Sequence, residues 1–409
     1  MKVFSRRNFG NARERSRCRF RYVLLASLLL LAMLLVQAAL LFRLEHTSHF
    51  AYGTPSPRWA YVFFLGACDP THPSYRGGLY NILVASYVLK YRESSPADVL
   101  VLVQMAHNTT HRTLPPMDIS MLQTLGVKVR YIPKPTCQPS FYELVIQKMW
   151  VFTLVEYTRI LFLDTDVLPL CNLDYLFMLS EKGILQENVL HAMYDDPVNA
   201  GLFVITPNLE HYQQIQQVIR RVSPDHILPP PNFDPVLGWG QKVDYGLWNG
   251  ETGQGWTFYC ADADQGLLLY WTKYLRQSVS IIIGNQIEHT TRSGTHTVTN
   301  ALDQYSCLLS PSKQLQGNFA SNANARAASL PFYRDFHHAV GFSKFWEQKA
   351  PRHIPKRMDQ VHSSTEYWYL LLQSLVDNFQ LSDIPTGHLR DSIGPPAHRG
   401  DLFVVDNPT

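Results

Sequence analysis

The sequence predicts an α/β fold, in which a mainly parallel sheet is covered by helices, together with one N-terminal transmembrane helix. Short apolar runs alternate with segments whose apolar residues recur at helical spacing, a pattern typical of parallel strands joined by helical crossovers. Near the N-terminus lies a stretch of about 20 uncharged residues, the length of a membrane span. The chain has 409 residues, of which 46% are hydrophobic and 12% aromatic. This composition is sufficient for a sizeable core.

The uncharged stretch from Tyr22 to Phe42 is the first predicted element. As a helix it would cross a hydrocarbon core of about 30 Å. Residues 1–21 carry eight basic side chains against the single acid Glu14, so the positive-inside rule predicts a cytosolic tail and a lumenal remainder. A cleaved signal peptide is the alternative, but its apolar region is usually about 7–15 residues long. We therefore expect a type II signal anchor in the endoplasmic reticulum or Golgi membrane, followed by a stem at 43–58.

Charge and cysteine usage narrow the class of protein further. The net charge is +3, and because the basic tail carries more than this, the remainder is slightly acidic, which argues against nucleic acid as a partner. Five of the six cysteines follow the anchor, and an oxidising lumen would permit disulfides while leaving at least one cysteine unpaired. Asn108-Thr109-Thr110 is an acceptor sequon for N-glycosylation.

The folded part is predicted to span residues 59–350. Its first half contains, in chain order, a strand at 59–65, a helix at 78–92, strands at 98–104 and 127–132, a helix at 141–155, and the strand RILFL at 159–163. A second group of strands and helices lies between Val189 and Ile283, interrupted by a loop rich in Pro, Gly and Trp at 227–256. Residues 351–409 contain a helix around 363–380, and the sequence assigns them no role.

Two carboxylates follow directly on the strand RILFL, in the sequence Asp164-Thr165-Asp166. In an open α/β sheet, ligands bind beyond the carboxyl ends of the strands. Hard cations such as Mg²⁺ or Mn²⁺ prefer oxygen ligands and often join carboxylates to substrate phosphates. The same spacing recurs in Asp262-Ala263-Asp264, and a solvated turn is the structural alternative. Position after a buried strand favours the first pair as the metal site.

The order of four motifs is more specific than any one of them. They are RILFLDTDVLPLCNLDYLF, NAGLFVITP, ADADQGLLLYW and HHAVGFSKFW. Over residues 59–275 and 336–346 the chain resembles the glycogenin-like glycosyltransferases, family eight of the retaining enzymes. The resemblance implies the nucleotide-diphospho-sugar transferase fold, known as glycosyltransferase fold A. It also implies Mn²⁺ or Mg²⁺, a UDP-sugar donor, and a glycan, glycolipid or glycoprotein acceptor.

Transferred residue by residue, the resemblance assigns Asp164 and Asp166 to the metal. His338 matches the third metal ligand, because its spacing to Gly341 and Lys344 reproduces the family's His-x-x-Gly-x-x-Lys. In this motif Gly341 and Lys344 contact the donor, and Lys344 also stabilises the leaving diphosphate. The neighbouring His337 lacks that spacing, and a surface or core histidine is the alternative interpretation of His338. Phe345 stands where the family usually has proline.

The remaining matches concern the donor sugar and the nucleotide. Lys148 and Asn199 match donor-binding residues, although a lysine in a helix often only extends to the surface. Asp264 and Gln265 match the catalytic pair near the reacting carbon, with Asp264 orienting hydroxyls and Gln265 offering a carbonyl to the developing cation. A helix cap is the alternative role for Asp264. Leu65 and Tyr75 match the loop that holds base and ribose, where an aromatic ring stacks on uracil.

The resemblance thus implies a metal-dependent retaining glycosyltransferase of the secretory pathway. The principal alternative is an inactive sugar-nucleotide or glycan-binding membrane protein on the same fold. A metal-dependent phosphoryl enzyme is a further alternative, but it would need a Gly-rich phosphate loop or a second cluster of His and Asp, and the sequence contains neither.

Overall fold

The computed structural model describes residues 59–193, 196–220, 256–299, 335–338, 344–346 and 363–381, together with 233, 238–240, 302, 305, 351, 354–356, 361 and 384. The predicted anchor and stem lie outside the described residues, as do Gly341 and most of the predicted loop at 227–256. Among the helices within these ranges, none has the length and apolar character to cross a membrane.

The described residues form one large sheet and one small one. The large sheet has nine strands in the order β10-β9-β8-β6-β7-β4-β1-β2-β3, and the small one pairs β11 with β5. The strands are β1 (Trp59–Cys68), β2 (Asp98–Met105), β3 (Val127–Tyr131), β4 (Arg159–Leu163), β5 (Val167–Pro169), β6 (Val189–Met193), β7 (Asp196–Ile205), β8 (Val279–Ile283), β9 (Gln286–Thr291), β10 (Gly294–Thr299) and β11 (Phe336–His338).

The large sheet is mainly parallel, as predicted. Strands β4, β1, β2 and β3 are parallel neighbours, and so are β6 and β8. Only β7 and β9 run against the other seven strands of this sheet. The carboxyl ends of β1, β2, β3 and β4 therefore share one edge, where the predicted site residues after β1 and β4 also lie.

Seven α-helices are described within the same ranges. They are α1 (Arg76–Tyr87), α2 (Pro116–Thr124), α3 (Phe141–Ile146), α4 (Asp174–Glu181), α5 (Leu209–Ile219), α6 (Asp264–Leu269) and α7 (Ser364–Phe379). Three continue in a different helical geometry: α1 through the π-helical Val88–Arg92, α3 through the 3₁₀-helical Gln147–Thr153, and α6 through the π-helical Tyr270–Arg276.

Both faces of the sheet are buried, because successive side chains on a strand point to opposite faces. In β4, Leu161 and Leu163 belong to a core cluster with α1, α4 and α7. Ile160 and Phe162 belong to a second cluster with α5, α6 and the segment Gln147–Thr153. This two-sided burial explains why β4 is a continuous apolar run in the sequence.

Helix α7, to which the sequence assigned no role, is part of the first core cluster. Its N-cap residue is Ser363, whose hydroxyl accepts a hydrogen bond from the Glu366 amide at 3.1 Å. Tyr367, Trp368 and Leu375 are fully buried. The helix packs against α1 on the same side of the sheet as β4's buried leucines.

Candidate functional site

The Asp164-Thr165-Asp166 segment forms a turn at the end of β4. The amide of Asp164 donates to the carbonyl of Gly201 at 2.8 Å, and the amide of Val167 donates to the carbonyl of Asp164 at 3.0 Å. The first bond continues the pairing of β4 with β7, and the second closes the turn before β5. Both carboxylates are therefore held at the carboxyl end of β4, which is the predicted position.

Lys148 joins the first carboxylate of this turn to the start of helix α6. Its Nζ lies 2.9 Å from Asp164 Oδ1 and 2.5 Å from Asp264 Oδ2, and it also donates to the carbonyl of Ala200 at 3.3 Å. Only 2% of its surface is exposed. Lys148 is thus engaged by protein groups, and its predicted contact with the donor stays a prediction.

The electrostatic balance at Lys148 keeps it charged. Burial alone lowers the pKa of a lysine, but attraction to Asp164 and then to Asp264, with hydrogen bonds to both, outweighs burial and raises the pKa of Lys148 above its ordinary value. A buried ammonium group is stable only when it is paired and hydrogen-bonded. The charge of Lys148 is therefore stabilised by Asp164 and Asp264 together.

Helix α6 begins with the predicted catalytic pair. Asp264 is its first residue, and the helix N-cap is Ala263, so the alternative role of Asp264 as an N-cap is not observed. Gln265 Oε1 accepts from the Ala200 amide at 3.3 Å, while Gln265 Nε2 donates to the carbonyl of Tyr259. These bonds fix the side chain of Gln265, and a carbonyl oxygen retains a second lone pair for another partner.

The backbone before α6 passes so close to position 266 that this position requires glycine. A Cβ at Gly266 would lie 1.7 Å from the carbonyl oxygen of Ala261. The amide of Gly266 also donates to the carbonyl of Cys260 at 3.2 Å. The chain folds back closely on itself just before the helix, and only glycine has room there. The glycine that follows the predicted catalytic pair therefore has a steric explanation.

Residues 199–201 of β7 contact each part of the site. The carbonyl of Ala200 accepts from Lys148, its amide donates to Gln265, and the carbonyl of Gly201 accepts from Asp164. Asn199 is 8% exposed, and its Oδ1 accepts from the Gly201 amide at 2.8 Å. Asn199 lies inside β7 and not in a turn before the strand. Its predicted contact with the donor sugar stays a prediction.

The second carboxylate pairs with the lysine of the C-terminal motif. Lys344 Nζ donates to Asp166 Oδ2, and both side chains are partly buried. Strand β11 pairs antiparallel with β5, with His338 opposite Val167, the residue that follows Asp166. The fold thus brings the backbone of the predicted third metal ligand beside the turn that carries the other two predicted ligands.

The described part of the predicted metal site offers oxygen atoms of the kind that a hard divalent cation prefers. Asp164 and Asp166 supply carboxylate oxygens at one edge, and the register of β11 places His338 next to them along the small sheet. Within the part of the chain that the structure describes, no group of three or more His, Cys, Asp or Glu side chains is close enough to hold a metal. Only the backbone of His338 belongs to that part.

The predicted base and ribose residues are buried. Leu65 in β1 is 4% exposed, and Tyr75 is 8% exposed at the end of a 3₁₀ turn before α1. The Tyr75 hydroxyl donates to Asp118 Oδ2 at 2.5 Å, and burial together with this carboxylate raises the pKa of Tyr75. The tyrosine ring lies within the first core cluster. Its stacking on a uracil base stays a prediction.

Among the described cysteines, Cys171 is disulfide-bonded, whereas Cys68, Cys137 and Cys260 are free. Its bonded partner is outside the described residues. Of the four described cysteines, one is therefore paired and three are unpaired. Burial raises the pKa of Cys260 to about 12, with the nearby carboxylate of Asp264 adding to the effect, so this thiol stays protonated beside the site.

Sequence comparison confirms the predicted resemblance to glycosyltransferases. A protein of Arabidopsis thaliana described as "Putative UDP-glucuronate:xylan alpha-glucuronosyltransferase 3" is 29% identical over 153 residues, which cover 36% of this chain and 23% of that protein. The match thus spans less than a quarter of the relative's length. No protein-family model matches the chain.

Solved glycosyltransferase structures resemble this chain with lower sequence identity. GlyE of Streptococcus pneumoniae TIGR4 has a TM-score of 0.40 and 14% identity, over 84% of this chain and 66% of that one. The galactosyltransferase LgtC, solved with donor and acceptor sugar analogues, has a TM-score of 0.40 and 14% identity, over 77% of this chain and 95% of that one. At these scores neither structure bears on function or mechanism.

Proposed function

We propose that this protein is a metal-dependent retaining glycosyltransferase that transfers a sugar from a UDP-sugar donor to a hydroxyl acceptor. One observation carries the proposal: Lys148 binds Asp164 and Asp264 together, so that motifs far apart in the sequence meet at one sheet edge. Asp166 and Lys344 meet beside them. The resemblance assigned Asp164 and Asp166 to the metal, Lys148 and Lys344 to the donor, and Asp264 to the catalytic pair.

Asp164, Asp166 and His338 would hold Mn²⁺ or Mg²⁺. When bound, the cation neutralises the diphosphate and stabilises UDP as it leaves. The carboxylates now contact Lys148 and Lys344. Both lysines would remain near the cation and the donor's phosphates, so the site offers anions to the metal and cations to the donor.

Lys344 is the residue we assign to the leaving group. It is an ammonium group on a flexible stem with a partly exposed side chain, so it can move from Asp166 toward a phosphate oxygen. The negative charge on that oxygen increases as the glycosidic bond breaks, and a positioned cation stabilises the charge more strongly in the transition state. Lys148, in contrast, orients Asp164 and Asp264 from within the protein.

Asp264 and Gln265 are the residues we assign to the sugar. Asp264, held by Lys148, would orient hydroxyls of the donor sugar. The Gln265 carbonyl would face the positive charge that develops at the reacting carbon. Retention of configuration comes from the family resemblance, and the proposal adopts it from there.

Several features support a lumenal setting for this reaction. Asn108 lies exposed in a turn after β2, a position where a glycan can be attached without disturbing the core. Cys171 is disulfide-bonded, and disulfides persist in oxidising compartments. Together with the charge asymmetry about Tyr22–Phe42, these features support a Golgi or endoplasmic reticulum membrane protein with a single type II anchor.

The experiment that tests the proposal is a donor screen with the purified full-length protein. UDP release from a panel of UDP-sugars would be measured with Mn²⁺, with Mg²⁺ and with a chelator. UDP-glucuronate is the first candidate, because the Arabidopsis relative is named for that donor. We expect release from at least one donor that stops with the chelator. Metal-dependent binding of UDP-sugars with no release from any of them would favour the inactive binding protein.

A further inference from the structure

We propose that Trp368, on helix α7, is a positioning residue for the metal-binding turn. This inference rests on the proposed function, because it concerns how the same site is held. Residues 351–409 have no role in the resemblance on which that function is based. Two lines of contact run from Trp368 toward the site, one to the turn through a buried amide and one to the C-terminal motif through a stack of aromatic rings.

The first line is a chain of hydrogen bonds through the interior. Trp368 Nε1 donates to Asn81 Oδ1 at 2.8 Å, and Asn81 Nδ2 donates to the carbonyl of Val167 at 3.0 Å. Trp368, Asn81 and Val167 are all fully buried. Val167 directly follows Asp166, and it is also the residue whose backbone pairs with His338.

The amide of Asn81 is oriented by its two partners. An asparagine can be turned so that its oxygen and its NH₂ group exchange places, and the indole donor requires the oxygen on its side. The NH₂ group must then point to Val167. Without the indole N–H, the buried Asn81 oxygen loses its partner and its amide loses the constraint on its orientation. Trp368 therefore fixes the hydrogen bond from Asn81 to the Val167 carbonyl without contacting that carbonyl.

The second line reaches the lysine of the site through aromatic rings. The ring of Trp368 stacks on that of Phe345 with centroids 6.3 Å apart and planes 6° apart. The ring of Phe345 contacts that of His337 at 5.3 Å. Phe345 follows Lys344, and His337 precedes His338. The position where the family usually has proline is thus filled by a ring that packs on α7.

Each line ends at a residue adjacent in the chain to a group that would contact the metal or the diphosphate: Val167 follows Asp166, and Phe345 follows Lys344. Such outer contacts fix the orientation of metal ligands, and their loss typically lowers metal affinity or activity by about 10–100-fold. A tryptophan that only filled the core would affect stability and leave metal affinity unchanged. The two roles therefore predict different Mn²⁺ affinities for a protein in which Trp368 is replaced.

The test compares Trp368→Phe with Tyr367→Phe in the full-length protein. Tyr367 is the adjacent buried aromatic residue on α7, and its hydroxyl accepts from Arg92 at 2.8 Å, away from the turn. Each variant keeps an aromatic ring and loses one hydrogen bond. Calorimetric titration of Mn²⁺ in the presence of UDP would give metal affinity, and thermal unfolding would give stability.

We expect Trp368→Phe to unfold at a lower temperature than Tyr367→Phe, because it also leaves the buried Asn81 oxygen unpaired and a smaller ring in the core. Only Trp368→Phe should bind Mn²⁺ about 10-fold more weakly. Asn81→Leu, which removes both bonds of the first line, should weaken Mn²⁺ binding in the same way and serves if Trp368→Phe does not fold. Wild-type affinity in both Trp368→Phe and Asn81→Leu would overturn the inference. Absence of Mn²⁺ and UDP binding by the wild-type protein would instead overturn the proposed function.

Discussion

At the scale of single residues, Lys148 and Lys344 each pair with one carboxylate of the predicted metal-binding turn, but in different surroundings. The side chain of Lys148 is 3% exposed, whereas that of Lys344 is 22% exposed. Charge pairs that are buried are costly to break, because the remaining partner keeps its charge in a poorly solvated position. Pairs near the surface contribute little to stability. The two lysines should therefore respond differently to the same substitution.

We predict that Lys148→Met lowers the free energy of unfolding by about 3–5 kcal/mol, because it leaves Asp164 and the buried Asp264 without their shared cation. Lys344→Met should cost less than about 1 kcal/mol and still abolish most turnover. Urea denaturation of both variants, with UDP release as the second measurement, provides the comparison. Equal stability losses in the two variants would contradict the assignment of Lys148 to a structural ion pair.

Gln265→Ala tests the chemical step. The Gln265 carbonyl is expected to act mainly on charge that exists in the transition state, so kcat should fall by about 10–1000-fold with little change in donor affinity. Steady-state kinetics and calorimetric donor binding separate the two effects. An unchanged kcat with much weaker donor binding would show that Gln265 only holds the sugar.

The contacts between the site residues could not be predicted from the sequence. It pointed to Lys148, Asp264 and Asp166 individually, through their matches in separate motifs. The ion pair between Lys148 and Asp264 depends on how α6 lies against β7, and short motifs contain no information on that packing. No sequence feature marked Asn81 or Trp368 as part of the site, since each resembles an ordinary core residue in its helix.

At the scale of elements, strands that end in a polar turn were predicted most accurately. β4 was predicted with its observed bounds, Arg159–Leu163, because a buried apolar run stops abruptly at Asp164. The small sheet of β5 and β11 was not predicted. Its strands are three residues long and pair across a large sequence separation, so neither has a period of its own to detect.

Helix α1 shows how a close approach positions the C-terminal motif. A Cβ at Gly77 would lie 2.2 Å from the ring of Trp346, which is two residues after Lys344. We predict that Gly77→Ala forces this ring away and reduces turnover about 10-fold or more, in line with the sensitivity of catalysis to small displacements. Helix propensity alone would favour alanine by up to about 1 kcal/mol, so a simple loss of helix stability does not explain the effect.

UDP release by Gly77→Ala would be measured beside Gly183→Ala, a glycine at the C-terminal end of α4. At Gly183 an added Cβ meets no atom within 4 Å, although its φ of +69° strains an alanine. The control should therefore lose stability and keep its turnover per folded molecule. Full turnover by Gly77→Ala would show that the position of Trp346 does not matter to the site.

At the scale of the whole molecule, the main expectation concerns the side of the membrane on which the C-terminal part lies. The basic residues before Tyr22 predict that everything after Arg43 is lumenal. In sealed microsomes the C-terminal part should resist added protease until detergent opens the membrane. Asn108→Gln should remove the one expected N-linked glycan and increase mobility on a gel. Digestion of the C-terminal part without detergent would contradict a type II arrangement.

The proposed function depends most on which pair of aspartates binds the metal, Asp164 and Asp166 or Asp262 and Asp264. Asp164→Asn removes a charge from the predicted cation, whereas Asp262→Asn makes the same change at a half-buried aspartate outside the predicted metal site. The most direct measurement is Mn²⁺-dependent UDP release by these two variants beside the wild-type protein. We expect Asp164→Asn to lose about 100-fold or more and Asp262→Asn to keep most of the wild-type rate. A larger loss in Asp262→Asn than in Asp164→Asn would contradict the assigned site.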